Sequence, residues 1–216
     1  VILYIIFSMN LKPDDRILFT GDSITDCNRR ADSNEPLGHG YAMLAAARLA
    51  IRFASPQLQI FNRGISGNRV ADLLARLDED LFALKPTVVS IMIGINDTWR
   101  AFDSNKATTT ASYEDDYRII LTRIRDELKA RVVLIEPFML HVPDDRHKWR
   151  ADLNPRIDAV RRLALEFATD LIPLDGIFAQ AATQAPPKFW APDGVHPTLA
   201  GHQLIADAWL RNAGIA

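Results

Sequence analysis

Cysteine is nearly absent: the chain has one, Cys27, so no intrachain disulfide can form and none is needed to explain the fold. Charge of one sign is also lacking. With a formal net charge of −2 and no long basic run, electrostatics gives no case for a nucleic-acid partner. Long hydrophobic runs are missing too. The longest apolar stretch, residues 1–7 (VILYIIF), falls far short of the ~20 residues that span a bilayer. It lacks the basic flank and small-residue cleavage site of a signal peptide. Residues 1–8 are therefore read as an extension ahead of Met9, the alternative being a short strand or helix docked on the body, and residues 9–216 as a single domain, with a cytoplasmic location expected. Neither G-x-G-x-x-G nor a P-loop occurs, which argues against a nucleotide-binding module.

What is present is an alternation of short apolar runs and longer helical patterns. Strands are expected at 16–20 (RILFT), 57–62 (QLQIFN), 88–93 (VVSIMI), 131–138 (RVVLIEPF) and 170–173. Helices are expected at 40–54, 70–84, from Ser112 to Lys129, at 152–169 with Pro155 in its first turn, and at 198–210. Strands separated by helices imply right-handed crossovers and a parallel sheet covered on both faces. In such sheets ligands bind at the carboxyl ends of the strands, so residues that carry chemistry belong in the loops that follow them.

Four loops carry unusual polar residues at those places. They are Gly21-Asp22-Ser23-Ile24, Asn62-Arg63-Gly64-Ile65-Ser66-Gly67-Asn68, Gly94-Ile95-Asn96-Asp97 and Asp193-Gly194-Val195-His196-Pro197. Acyl transfer through a serine requires a nucleophile, a base, a group that orients the base and donors for the oxyanion. Ser23 can supply the first. His196 can accept its proton, and Asp193, three residues away, can fix the imidazole tautomer. The backbone N–H groups of Ser23 and Gly64, with the Asn96 side-chain amide, are the expected oxyanion donors. Asp22 is expected to steady the turn and Asp97 to close one. Trp99 and Trp190, which flank two of the loops, are candidates for the pocket wall, and Asp22 is a further candidate to line it. Cys27 reads as an inert thiol. His196 and His202 are six residues apart along a helix, a poor arrangement for joint metal ligands, and no metal or organic cofactor is called for.

These four blocks, in this order, resemble the SGNH (GDSL-like) hydrolases, with Ser23, Gly64, Asn96 and His196 as the four name-giving residues and Asp193 as the triad acid. The resemblance spans roughly residues 16–210. The first block reads Gly-Asp-Ser-Ile where the family name has leucine. The resemblance implies a flavodoxin-like three-layer α/β/α sandwich with a parallel sheet of about five strands. The string from Ser90 to Arg100, with Asn62 to Asn68, is similar to the bacterial branch that contains xylan and xylo-oligosaccharide acetylesterases. That branch implies deacetylation of short saccharides inside the cell and possible homo-oligomers, with a small-molecule ester as substrate and neither nucleic acid nor membrane as partner. The alternatives weighed are a broad lipase-like, thioester or lysophospholipid acylhydrolase and a non-catalytic carbohydrate-binding domain. The last fits poorly, since no motif residue is missing.

Overall fold

The computed structural model describes residues 9–30, 36–104 and 106–215; the expected extension at residues 1–8 lies outside them. Among the described residues five strands form one parallel sheet: β1 Arg16–Gly21, β2 Gln59–Gly64, β3 Val88–Met92, β4 Arg131–Ile135 and β5 Asp170–Ile172. Their order is β2-β1-β3-β4-β5. The chain therefore steps outward from β1 to β2, then returns past β1 to β3. This reversal opens a crevice beyond the carboxyl ends of β1 and β3, the usual ligand position in doubly wound sheets. Register places Gly21 level with Gly64 on one side and Met92 on the other, so three chain segments leave the sheet together.

Alternation along the strands divides the core into two layers. Ile17, Phe19, Val88, Met92, Val133 and Ile135 face one layer, while Leu18, Val89, Ile91 and Leu134 face the other. Both faces are apolar, as a parallel sheet covered on each side requires. The first layer is closed by helices α2 (Tyr41–Phe53) and α10 (Leu199–Asn212), which pack on each other. The second is closed by α3 (Val70–Ala75), α6 (Thr110–Arg123) and α7 (Arg150–Phe167). The remaining helices are α1 (Ser23–Asp26), α4 (Leu77–Asp80), α5 (Ile95–Asp103), α8 (Leu174–Ala181) and α9 (Pro187–Trp190). The three-layer α/β/α sandwich expected from the sequence is the fold observed. Among the described residues no helix is long and apolar enough to cross a membrane.

Several boundaries differ from the sequence reading. The helix expected over 70–84 breaks at Arg76 into α3, α4 and a 3-10 turn. Arg76 is drawn to the sheet end, where its guanidinium donates to the carbonyls of Gly21 and Arg63 and to Asn68 Oδ1. α6 begins ahead of Ser112, because Thr109 Oγ1 is the cap that accepts the Ser112 N–H. α7 begins at Arg150, so Pro155 lies in its second turn rather than its first. β2 runs to Gly64 rather than stopping at Asn62, and this shift changes the site.

Candidate active site

Ser23 is set by the turn between β1 and α1. Asp22 caps α1, its Oδ1 accepting the Ile24 N–H at 3.0 Å, and Ser23 is the first helical residue. The helix is one turn long, so any positive potential here comes from the free N–H groups themselves rather than from a macrodipole. Opposite, in the loop ahead of α10, Asp193 Oδ1 accepts the N–H groups of Val195 and His196 at 3.0 and 2.8 Å. That turn aims the other carboxylate oxygen at the imidazole: Oδ2 lies 2.7 Å from His196 Nδ1. His196 Nε2 lies 2.9 Å from Ser23 Oγ. With Nδ1–H donating to the carboxylate, Nε2 is left as acceptor for the serine hydroxyl.

The electrostatics follow from these bonds. Burial alone would raise the Asp193 carboxyl, but the hydrogen bonds from His196 and from the Val195 and His196 backbone hold it well below the usual carboxylate range. His196 is raised above its ordinary value of 6.5, first by its hydrogen bond to Asp193 and against the effect of partial burial. The pair is open to solvent, with side-chain exposures of 47% for His196 and 40% for Asp193. Asp22 is in the opposite situation. It is 1% exposed, its Oδ2 has no hydrogen-bond partner among the described residues, and burial pushes its carboxyl up to about 7.

Of the three expected oxyanion donors, two keep an unengaged N–H among the described residues. Ser23 N–H donates to no acceptor among the described residues. Asn96, in the first turn of α5, spends one amide hydrogen on the Asn68 carbonyl at 3.0 Å and keeps the other. Gly64 is a correction. It belongs to β2, and its N–H is already donated to the buried Asn62 Oδ1 at 2.8 Å. A Cβ on Gly64 would lie 2.2 Å from Asp26 N, so glycine is required there for α1 to lie against β2. In the loop beyond, Ile65 N–H goes to Gly21 O, Ser66 N–H to Asp26 Oδ2 and Asn68 N–H to Ile65 O. Gly67 N–H alone in this loop has no acceptor among the described residues. Gly67 also holds φ +85°, a conformation that favours glycine. The signal was present in the sequence as the second glycine of Gly64-Ile65-Ser66-Gly67. Its place in the loop becomes legible once β2 is seen to run to Gly64.

The aromatic candidates separate. The Trp99 ring is 5.8 Å from the His196 ring, so it borders the site. Trp190 packs on the core and against Phe189 at 4.9 Å, and its carbonyl accepts the Thr198 N–H. That bond ties α9 to the start of α10. Arg146 and Trp149, which nothing in the sequence singled out, stand behind Trp99. The Trp149 ring is 5.3 Å from Trp99, and the Arg146 guanidinium lies over both rings. Asp97 is buried, accepts the Val70 N–H at 3.2 Å and is pushed by burial to about 7, a structural rather than reactive placement. Cys27 lies 3.4 Å from His202 Nε2, and burial raises its thiol. His202 Nδ1 accepts the Tyr41 N–H at 3.2 Å, and burial lowers the ring to about 4. Both ring nitrogens of His202 are thus engaged in joining α10 to α1 and α2.

A serine, an imidazole and a carboxylate in one hydrogen-bonded chain, with free amide donors beside the serine, can carry out acyl transfer. Comparison with known proteins agrees. Residues 19–204 match the GDSL-like Lipase/Acylhydrolase family. The chain is 35% identical over 213 residues to an acetylxylan esterase of Geobacillus stearothermophilus, covering 95% of this chain and 97% of that protein. That esterase, Axe2, has been solved (33% identity, TM-score 0.87, 96% of this chain and 98% of that one), also as catalytic mutants of a serine and of an aspartate. A solved structure from Parabacteroides merdae, assigned to the GDSL-like lipases, superposes with a TM-score of 0.92 at 39% identity, over 96% of this chain and 99% of that one. The chain therefore belongs to the GDSL-like lipase/acylhydrolase family and is a carboxylic ester hydrolase.

Proposed function

We propose that this protein is a serine esterase that removes acetyl groups from short saccharides such as xylo-oligosaccharides. The observation that carries the chemistry is the unbroken chain from Ser23 Oγ through His196 to Asp193, at 2.9 and 2.7 Å. Ser23 Oγ attacks the ester carbonyl carbon while His196 Nε2 takes its proton, and Asp193 stabilises the imidazolium. The N–H groups of Ser23 and Gly67 and the Asn96 amide hold the oxyanion. His196 then protonates the departing alkoxide, leaving an acyl-Ser23. Water, deprotonated by His196, attacks that acyl group; the second tetrahedral intermediate collapses to release the acid and restore the Ser23 hydroxyl. No cofactor takes part in this scheme.

The acetylated-saccharide substrate is supported by the likeness to Axe2. A cytoplasmic setting belongs to the same reading, in keeping with a chain that carries one cysteine. The test is acetate release from a panel of acetylated xylo-oligosaccharides, with acetyl and octanoyl aryl esters alongside and Ser23→Ala as control. Acetate release by the wild type and its loss in a folded Ser23→Ala protein are expected. Preference for the octanoyl ester over every saccharide would replace this reading with a lipase-like one. Turnover retained by Ser23→Ala would remove the nucleophile assignment.

A further inference from the structure

Arg146 sits in the 3-10 turn Asp144–Trp149, outside the hydrogen-bonded chain of Ser23, His196 and Asp193. Its guanidinium carbon is 3.9 Å from the centroid of the Trp149 ring and 4.8 Å from that of Trp99. Its Nε donates to the Asp193 carbonyl oxygen through a long bond of 3.4 Å. Guanidinium has five N–H donors. The four on Nη1 and Nη2 meet no protein acceptor among the described residues, although Asp144 and Asp145 immediately precede it. Other arginines of this chain behave differently: Arg118, Arg123, Arg150, Arg161 and Arg162 all reach carboxylates. Arg146 is thus a cation stacked on two indoles, tethered through Nε and left with an unfilled donor fork. Side-chain entropy that a free arginine would lose on binding is already largely lost.

The reaction defines which part of the substrate this fork faces. His196 Nε2 hands its proton to the departing alkoxide, so the alcohol half of the ester must lie beside His196. The amide donors of Ser23 and Asn96 lie around the carbonyl oxygen instead. Trp99 borders the His196 ring, and Arg146 lies over Trp99. We infer that Arg146 is a specificity-determining residue that binds hydroxyl oxygens of the sugar bearing the ester. This inference rests on the saccharide reading above and adds the residue that selects the leaving group.

The test compares acetylated xylobiose with 4-nitrophenyl acetate, whose leaving group has no sugar hydroxyls, in the wild type, Arg146→Met and Arg146→Lys. Methionine keeps bulk over the two tryptophans and removes the donors. For Arg146→Met, kcat/KM on the saccharide should fall about 10- to 100-fold, the worth of hydrogen bonds from a charged donor. The loss should lie mainly in KM, with nitrophenyl acetate hydrolysis kept within about twofold. Arg146→Lys should recover part of the saccharide activity. Equal losses on both esters would mean that Arg146 acts through the Asp193 loop or through folding, and would overturn the inference. So would unchanged kinetics on both. A wild type that cleaves nitrophenyl acetate but no acetylated saccharide refutes the substrate reading itself. A wild type active on both, with no change in selectivity in the variants, refutes the role of Arg146 alone.

Discussion

The Gly64 N–H donates to Asn62 Oδ1 at 2.8 Å, which leaves Gly67 N–H as the donor of that loop with no acceptor among the described residues. The two glycines therefore do different work. At Gly64 an added Cβ meets backbone at 2.2 Å, whereas at Gly67 the nearest atom is the end of the Arg100 side chain at 3.6 Å. Gly64→Ala should destabilise the protein by about 1–3 kcal/mol through overpacking against α1, and lower kcat by moving Ser23. Gly67→Ala meets no clash but is strained at its positive φ, at a cost of about 1–2 kcal/mol. Urea denaturation of both variants checks the order. A Gly64→Ala protein as stable as the wild type would contradict the packing role.

Asn96 should be the donor that mutagenesis can remove cleanly. Asn96→Ala deletes the free amide hydrogen and is expected to reduce kcat by about 10²–10³, or about 2.7–4 kcal/mol of transition-state stabilisation. KM should change little, since the oxyanion exists only in the transition state and the intermediates beside it. Steady-state kinetics on an acetyl ester measures the split. A kcat effect below about threefold would remove Asn96 from the role.

His196 must be neutral to take the Ser23 proton, and its hydrogen bond to Asp193 raises its pKa above 6.5. A raised base pKa means that the protonated, inactive form persists to higher pH. The acid limb of kcat/KM should therefore have its midpoint above 6.5 and fall as pH is lowered. Asp193→Asn removes the carboxylate that favours the imidazolium. Its limb should move to lower pH while the rate drops by on the order of 10⁴, because the tautomer is no longer fixed. Rate profiles on an acetyl ester across the neutral range test both statements.

The sheet and most of the site could be read in the sequence because their signals are local. Strands such as 88–93 announce themselves by unbroken apolar runs, and Asp193 and His196 need only one turn between them to meet. What escaped depended on tertiary demands. The residues Asn96-Asp97-Thr98 look like turn formers, yet they form the buried first turn of α5, with Asp97 reaching across to cap the Val70 N–H. Leucines at 73, 77, 81 and 84 keep helical spacing through 70–84, but Arg76 is taken by carbonyls at the sheet end and the helix breaks there. The exchange of Gly64 for Gly67 has the same origin. β2 continues two residues past its apolar run because pairing with β1 extends to Gly21. Arg146 shows no signal in the sequence, since Trp149 is its one near neighbour and the partners that tie it to the site, Trp99 and Asp193, each lie 47 residues away.

Ser90 provides a test of the core that leaves the chemistry alone. It lies on the central strand β3, fully buried, and its Oγ accepts Trp209 Nε1–H from α10 at 3.1 Å. Ser90→Ala strands the indole N–H in an apolar layer, so a loss of about 1–3 kcal/mol is expected. Trp209→Phe removes the donor that Ser90→Ala would strand, so the double variant should lose less than the sum of the two single losses. A double-mutant cycle by urea denaturation measures the coupling, and additive losses would mean the bond contributes nothing.

Asp22 makes stability depend on pH in the direction opposite to an ion-paired carboxylate. Its folded pKa of about 7 stands above the ordinary carboxyl value of 3.8 because burial disfavours the charge. Between those values the folded state keeps a proton that the unfolded chain releases, so stability falls as pH rises through that window. Asp22→Asn retains an oxygen to accept the Ile24 N–H and cannot ionise. The stranded side-chain NH₂ adds a penalty, but one that does not vary with pH. The stability of Asp22→Asn relative to wild type should therefore rise steadily from about pH 4 to pH 7 and level off above it, by about 1.4 kcal/mol per pH unit at most. Asp97, also buried and raised to about 7, is common to both proteins and cancels in the difference. Because ionised Asp22 also favours the His196 imidazolium, the variant should show a lower acid limb in its rate profile. Thermal melts across the pH series decide the matter: a stability difference that stays flat would mean Asp22 is ionised in the folded protein at every pH in the range.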